Sequence, residues 1–178
     1  GGYFNGPANF SFDGMFSVIE FESLANDENL MAVVMQLVVT QIVQLFCGMR
    51  DKQFLLVIDE AWRVMKQFSP FLNRFVRTFR KYGGSQFIVT QGYEEFQAND
   101  DTKTVWKNSA WKIFLQQSED IPSLSDNENK LLRSLKTIKG QYSELLIKSA
   151  GSVVVMRCAL DKKSLVLYAT DQVLFKKI

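Results

Sequence analysis

Phe54-Leu55-Leu56-Val57-Ile58-Asp59-Glu60-Ala61-Trp62 is an unbroken apolar run that turns abruptly into two acids. The run has the length of a strand buried on both faces, the pattern of the centre of a parallel sheet. In open α/β sheets ligands bind at the carboxyl ends of the strands, which is where Asp59 and Glu60 fall. Acids in that place suit nucleotide hydrolysis, with Asp59 holding a magnesium ion, usually through water, and Glu60 polarising the attacking water. A plainer reading competes: two acids after a strand cap the following helix and match its dipole. The long apolar run before the pair and Ala61-Trp62 after it favour the hydrolytic reading.

Working outward, Phe68, Phe71, Leu72, Phe75, Val76 and Phe79 recur at helical spacing, with Asn73, Arg74, Arg77, Arg80 and Lys81 on the other side. Gly83-Gly84 ends that helix. The stretch 85–92 (SQFIVTQG) reads as a second strand. Beside the first it would carry Gln91 to the edge where Asp59 lies, within reach of a γ-phosphate or the attacking water. Residues 93–108 read as one or two short helices, 110–118 (AWKIFLQQS) as the next strand, and 127–135 as a helix. Three C-terminal segments, YSELLIKS, SVVVMRCAL and SLVLYAT, read as strands of a hairpin or meander.

Upstream, residues 1–14 read as an irregular loop and 15–24 (MFSVIEFESL) as a short strand burying Phe16 and Val18. Asn26, Asp27 and Glu28 then cap a long helix that is free of charge from Asn29 to Met49. Its length matches a membrane span, but Gln36, Thr40, Gln41 and Gln44 make it polar for one, and a helix buried nearly all round on a sheet is favoured. The fold class is therefore α/β, a mostly parallel sheet flanked by helices with an antiparallel strand addition. A single domain over 1–178 is expected: loop 1–14, α/β core 15–118, and a helix with a β-rich C-terminal part over 119–178.

Composition closes several doors. The 178 residues carry 21 Lys and Arg, 19 Asp and Glu and no His, for a net charge of +2. Without histidine there is no Ser-His-Asp or Cys-His nucleophile system, and Cys47 and Cys158 are too few for a zinc site or a disulfide framework. They read as free, partly buried thiols of a reducing compartment. Trp62 and Trp106 read as core rather than as a stacking platform for bases. The first residues, Gly1-Gly2-Tyr3, show no leader and fit a piece of a longer chain.

Taken together, LLVIDEAW, VRTFRKYGG, FIVTQ, KNSAWKIFLQQ, GQYSELLIKSAG and LDKKSLVLYAT resemble the C-terminal part of conjugative type IV secretion assembly ATPases, the TraC type of F-like transfer systems. The resemblance implies a RecA-like P-loop core of the HerA/FtsK class and hydrolysis of ATP with Mg2+. It also implies hexameric assembly on the cytoplasmic side of the inner membrane, where the motor energises pilus assembly and substrate transfer with inner-membrane components of the secretion channel. Carried over by position, Asp59 and Glu60 match the Walker B acids and Gln91 the sensor glutamine, and Arg77, Arg80 and Lys81 fall in the motif that supplies a finger in trans. Asn108-Ser109 matches a further motif of the family.

One departure stands out: no glycine is followed in the GxxxxGK[ST] pattern, so the phosphate cradle and its strand are absent from these residues. The 178 residues by themselves are expected to bind ATP weakly and not to turn it over. Two alternatives remain, a DNA-pumping motor of the same superfamily, for which Lys103, Lys107 and Lys112 are the only candidate DNA contacts, and a non-catalytic interaction module of the secretion apparatus.

Overall fold

The structure, a computed structural model, describes residues 14–24, 26–48 and 53–168, with Gly6 and Phe12. The chain forms two compact units, Gly1–Asp51 and Lys52–Ile178. In the first, the stretch 15–24 is not the expected strand: Phe16 is 85% and Val18 67% exposed, and a 3₁₀ turn at Glu22–Leu24 closes it. A strand needs a neighbour for its backbone groups, and none of the described residues of this unit supplies one.

Helix α1 (Glu28–Gly48) starts where the capping residues place it, with the Leu30 N–H donating to Asp27 Oδ1 at 2.9 Å. It buries one stripe, Met31, Met35, Val39 and Ile42, and leaves Val33 and Leu37 about half exposed. The expectation of a helix buried nearly all round is thereby corrected. Its Asn29–Phe46 segment is long and apolar enough to cross a membrane by length and composition, with a mean hydropathy of 1.7.

The second unit opens with β1 (Phe54–Ile58), followed by α2 (Trp62–Thr78) and β2 (Gly84–Ile88). β1 and β2 pair in parallel, Phe54 opposite Gly84 through Ile58 opposite Ile88. Phe54, Leu56 and Ile58 turn to the helix side, where Ile58 and Ile88 pack on buried Ala61, Met65, Leu72 and Val105. The other face is open: Leu55 is 62% and Val57 54% exposed, so β1 is not buried on both faces and has one partner strand among the described residues.

α2 follows its sequence stripe, burying Phe68, Leu72, Phe75 and Phe79. The Phe71, Phe75 and Phe79 rings succeed one another at 4.0 Å, and Phe54 meets Phe79 edge-on at 4.9 Å. Gly83, at φ 72°, turns the chain from the 3₁₀ extension Phe79–Tyr82 into β2. A Cβ on Gly84 would run into the Phe54 ring, so glycine is what allows the two strands to carry that ring between them.

A 3₁₀ turn at Tyr93–Gln97 leads to α3 (Asp100–Asn108). Asn99 closes a capping box with Thr102 and also donates to Ser69 Oγ of α2 at 3.1 Å. β3 (Trp111–Phe114) does not continue the parallel pair, as 110–118 was expected to do. It lies antiparallel to β5 (Tyr142–Ser149), in a sheet with β4 (Thr137–Ile138) and β6 (Ser152–Cys158). α4 (Asp126–Ser134) covers one face of this sheet through Leu132, with Phe114, Ile121, Leu124, Leu135 and Leu146. The opposite face exposes Trp111, Ile113, Val154 and Met156. Trp106 of α3 packs against Tyr93, Phe96 and Phe114, joining the two cores of the unit.

The last expected strand, within SLVLYAT, is instead the start of α5 (Lys162–Tyr168) as far as the described residues reach. Asp161 decides this by local chemistry. Its carboxylate accepts from the backbone N–H groups of Lys163 and Ser164 and from the Ser164 hydroxyl, which commits the chain to a helical turn.

Candidate functional site

The register of β1 and β2 runs one step beyond the strands. Val89 N–H donates to the Ile58 carbonyl and Ala61 N–H to the Val89 carbonyl, both at 2.9 Å. Asp59 and Glu60 therefore leave the sheet at the same edge as Thr90 and Gln91, and Asp59, Glu60 and Gln91 are all exposed there. The juxtaposition expected of these residues exists at the carboxyl end of a parallel pair.

The turn that carries the acids is unusual. Glu60 has φ 47°, the one non-glycine residue with positive φ among the described residues. Glutamate has no side-chain device that favours this region, so the conformation costs about 1–2 kcal/mol. Its backbone N–H donates to Asp59 Oδ1 at 2.9 Å, which ties one acid to the turn that presents the other. The capping role is taken by neither: the N-cap of α2 is Ala61, which has no capping side chain, and the first turn of α2 holds no acid. Strain of this kind at non-glycine positions gathers at functional sites.

Arg77, Arg80 and Lys81 are exposed, but the structure does not bring them to the acids. They sit at the far end of α2, and 17 helical residues span about 25 Å. Asn108 and Ser109 serve α3 itself, bonding back to the Thr104 and Val105 carbonyls. Lys103 makes an ion pair with Asp100, and Lys112 donates to the Ser109 carbonyl while lying 5.1 Å from the Trp106 ring. Trp62 is 42% exposed, contrary to its reading as core, whereas Trp106 packs as expected. Cys158 is an exposed free thiol rather than a partly buried one, and the side chain of Cys47 lies outside the described residues.

Sequence reasoning did not single out Glu95. Burial pushes its pKa above the ordinary glutamate value. Its Oε2 is buried without a partner. A second acid in Tyr93-Glu94-Glu95-Phe96 gives no local signal of that burial, which depends on how the 3₁₀ turn Tyr93–Gln97 packs.

A mixed α/β unit thus presents two exposed acids and a glutamine at the carboxyl edge of its parallel strand pair, where open α/β sheets bind ligands. Residues 5–178 match the TraG P-loop domain, and the chain belongs to that family. Over 127 residues, 66% of this chain, it is 29% identical to protein TraC of Escherichia coli (strain K12), and it spans 14% of that protein's length.

Proposed function

We propose that this chain is the Walker B and sensor portion of a RecA-like ATPase of conjugative transfer. The observation that carries the reading is the Asp59-Glu60 turn: an exposed acid pair at the end of a parallel strand, held in a strained conformation, outside the N-cap position of the next helix. Asp59 offers a hard oxygen ligand that would hold Mg2+, directly or through water. Bound ATP supplies the phosphoryl group. In this reading Glu60 accepts a proton from the attacking water and Gln91 orients that water or the γ-phosphate oxygen.

In this reading the phosphate cradle belongs to another part of the full protein, since GxxxxGK[ST] does not occur in these residues. In this reading Arg77, Arg80 and Lys81, distant from the chain's own acids, act on the nucleotide of a neighbouring subunit in a hexamer. The full protein would then act at the cytoplasmic face of the inner membrane, with membrane components of the secretion channel, in pilus assembly and substrate transfer.

Steady-state ATP hydrolysis by the full-length protein, wild type beside Glu60→Gln, tests this. The reading requires turnover that rises with protein concentration and collapses in the variant. Turnover indifferent to the substitution would leave the acids as turn formers and favour an interaction module.

A further inference from the structure

The antiparallel sheet of the second unit has its polarity reversed. Register partners share a face, so Phe114, Leu146 and Val155 turn to the α4 side, and every charged residue of β3, β5 and β6 turns with them: Lys112 opposite Lys148, and Glu144 opposite Arg157. Those charges find partners on that side, Lys148 in Glu128 of α4 and Arg157 in Glu144. The face away from α4 carries Trp111, Ile113, Leu145, Ile147, Val154 and Met156, and its other positions on these strands are serines and Cys158. A sheet with one face in water carries its polar residues there, whereas this open face has no charge at all. Trp111 is 67%, Val154 52% and Met156 50% exposed. Contiguous apolar surface of this kind marks an interaction site.

The size of the face says what fits it. Three strands wide and the length of β6, it measures about 14 Å by 24 Å. That is well below the ~800 Å² that each partner buries in a standard interface between separate molecules. It matches one α-helix, about 10 Å across and about 16 residues for that length. A helix of the same polypeptide docks without the loss of translational and rotational freedom that separate molecules incur. α4 covers the other face in the same manner. Since these residues span 14% of the matched relative's length, most of a full-length protein of this kind lies outside them.

We propose that the open face of this sheet is the docking surface for an amphipathic helix of the full-length polypeptide, from the part that precedes Gly1, packed through an uncharged apolar stripe. The inference rests on the functional reading above only in taking these residues as part of a longer polypeptide. With Lys112 and Lys148 kept to the opposite side, such a helix buries no unpaired charge of the sheet.

Two measurements on the full-length protein test this. In hydroxyl-radical footprinting read by mass spectrometry, Trp111 and Met156 are oxidised about tenfold or more slowly in the native protein than in the urea-unfolded one. Rates close to the unfolded ones mean an open face and overturn the proposal. The occupant is read by a photoreactive benzoylphenylalanine in place of Val154, in a mixture of isotopically light and heavy protein. Ser152, at the rim of the same face, is the second attachment point should the group at 154 prevent folding. Capture of a peptide that precedes Gly1, from the same molecule, is the expected result. Capture of the other isotopic form, of residues within 1–178, of a different protein, or of nothing overturns the proposal. Neither measurement depends on turnover: hydrolysis insensitive to Glu60→Gln removes the ATPase reading alone, and an open face removes this inference alone.

Discussion

The backbone N–H of Glu60 donates to the Asp59 side chain at 2.9 Å, so the first acid of the pair fixes the turn that holds the second at φ 47°. Strand end, acid and strained backbone form one local device. The positive φ lowers stability at this position, and substitutions can separate that backbone cost from the carboxylate.

Glu60→Gly and Glu60→Ala both delete the carboxylate and whatever it touches, so their difference isolates the backbone. Glycine reaches positive φ without the Cβ penalty, and Glu60→Gly is expected to be more stable than Glu60→Ala by about 1 kcal/mol. Urea denaturation of the two variants measures it. Equal midpoints would mean that the turn relaxes to negative φ once the glutamate is gone.

Gly84 sits under the Phe54 ring, which the Phe79 ring also confines. Gly84→Ala is expected to cost about 1–3 kcal/mol, the usual cost of overpacking a well-filled core. Gly140 makes a control within the same unit: it too is a glycine, but a Cβ there meets nothing. Its φ of 77° gives Gly140→Ala a backbone cost alone, without the loss of aromatic packing that near-ultraviolet circular dichroism would report for Gly84→Ala.

Much of this architecture was legible where one residue type answers a local demand. The Phe stripe of α2, the Gly83-Gly84 stop and the Asp27 cap follow from helical spacing and end chemistry. The strand order was legible only in part. FLLVI and QFI read as neighbours, but the apolar run of β1 said nothing about which face stays uncovered. AWKIFLQQS gave no sign that it would run antiparallel, because direction is chosen by β5, far along the chain. The segments 15–24 and 164–170 have β-forming composition, yet one lacks a partner strand and the other follows Asp161, whose carboxylate nucleates a helix first. The acid pair was visible as chemistry. Its left-handed turn and the burial of Glu95 Oε2 were not, since both arise from tertiary placement.

Asn129 is buried and was not foreseen either. Its side chain accepts from the Ile121 N–H at 2.9 Å and donates to the Ile121 and Leu124 carbonyls, holding the 121–124 loop against α4. Asn129→Leu strands those backbone groups in a dry core and is expected to cost about 1–3 kcal/mol or more, although leucine is close in volume. Thermal unfolding checks this; a variant as stable as wild type would show that water replaces the amide.

The ion pair between α4 and β5 gives a pH signature. Lys148 Nζ lies 2.8 Å from Glu128, whose side chain is 16% exposed, and the Lys148 contact, followed by the Ser125 backbone bond, holds the Glu128 carboxyl below the ordinary glutamate value. A carboxyl with a lowered folded-state pKa binds fewer protons folded than unfolded, so its stabilisation is complete above the ordinary glutamate pKa. It is lost as pH falls from there through the lowered value. Glu144, paired with Arg157, is also lowered; its side chain is as covered as that of Glu128, but Arg157 is 57% exposed against 30% for Lys148, so salt reaches that pair more readily. Both Glu128→Gln and Glu144→Gln should therefore flatten the acid limb of stability against pH, and the effect of Glu144→Gln should shrink more as salt rises. Urea midpoints measured across that acid range, at two ionic strengths, distinguish the two. Identical acid limbs for wild type and Glu128→Gln would show that the Lys148 contact does not persist in solution.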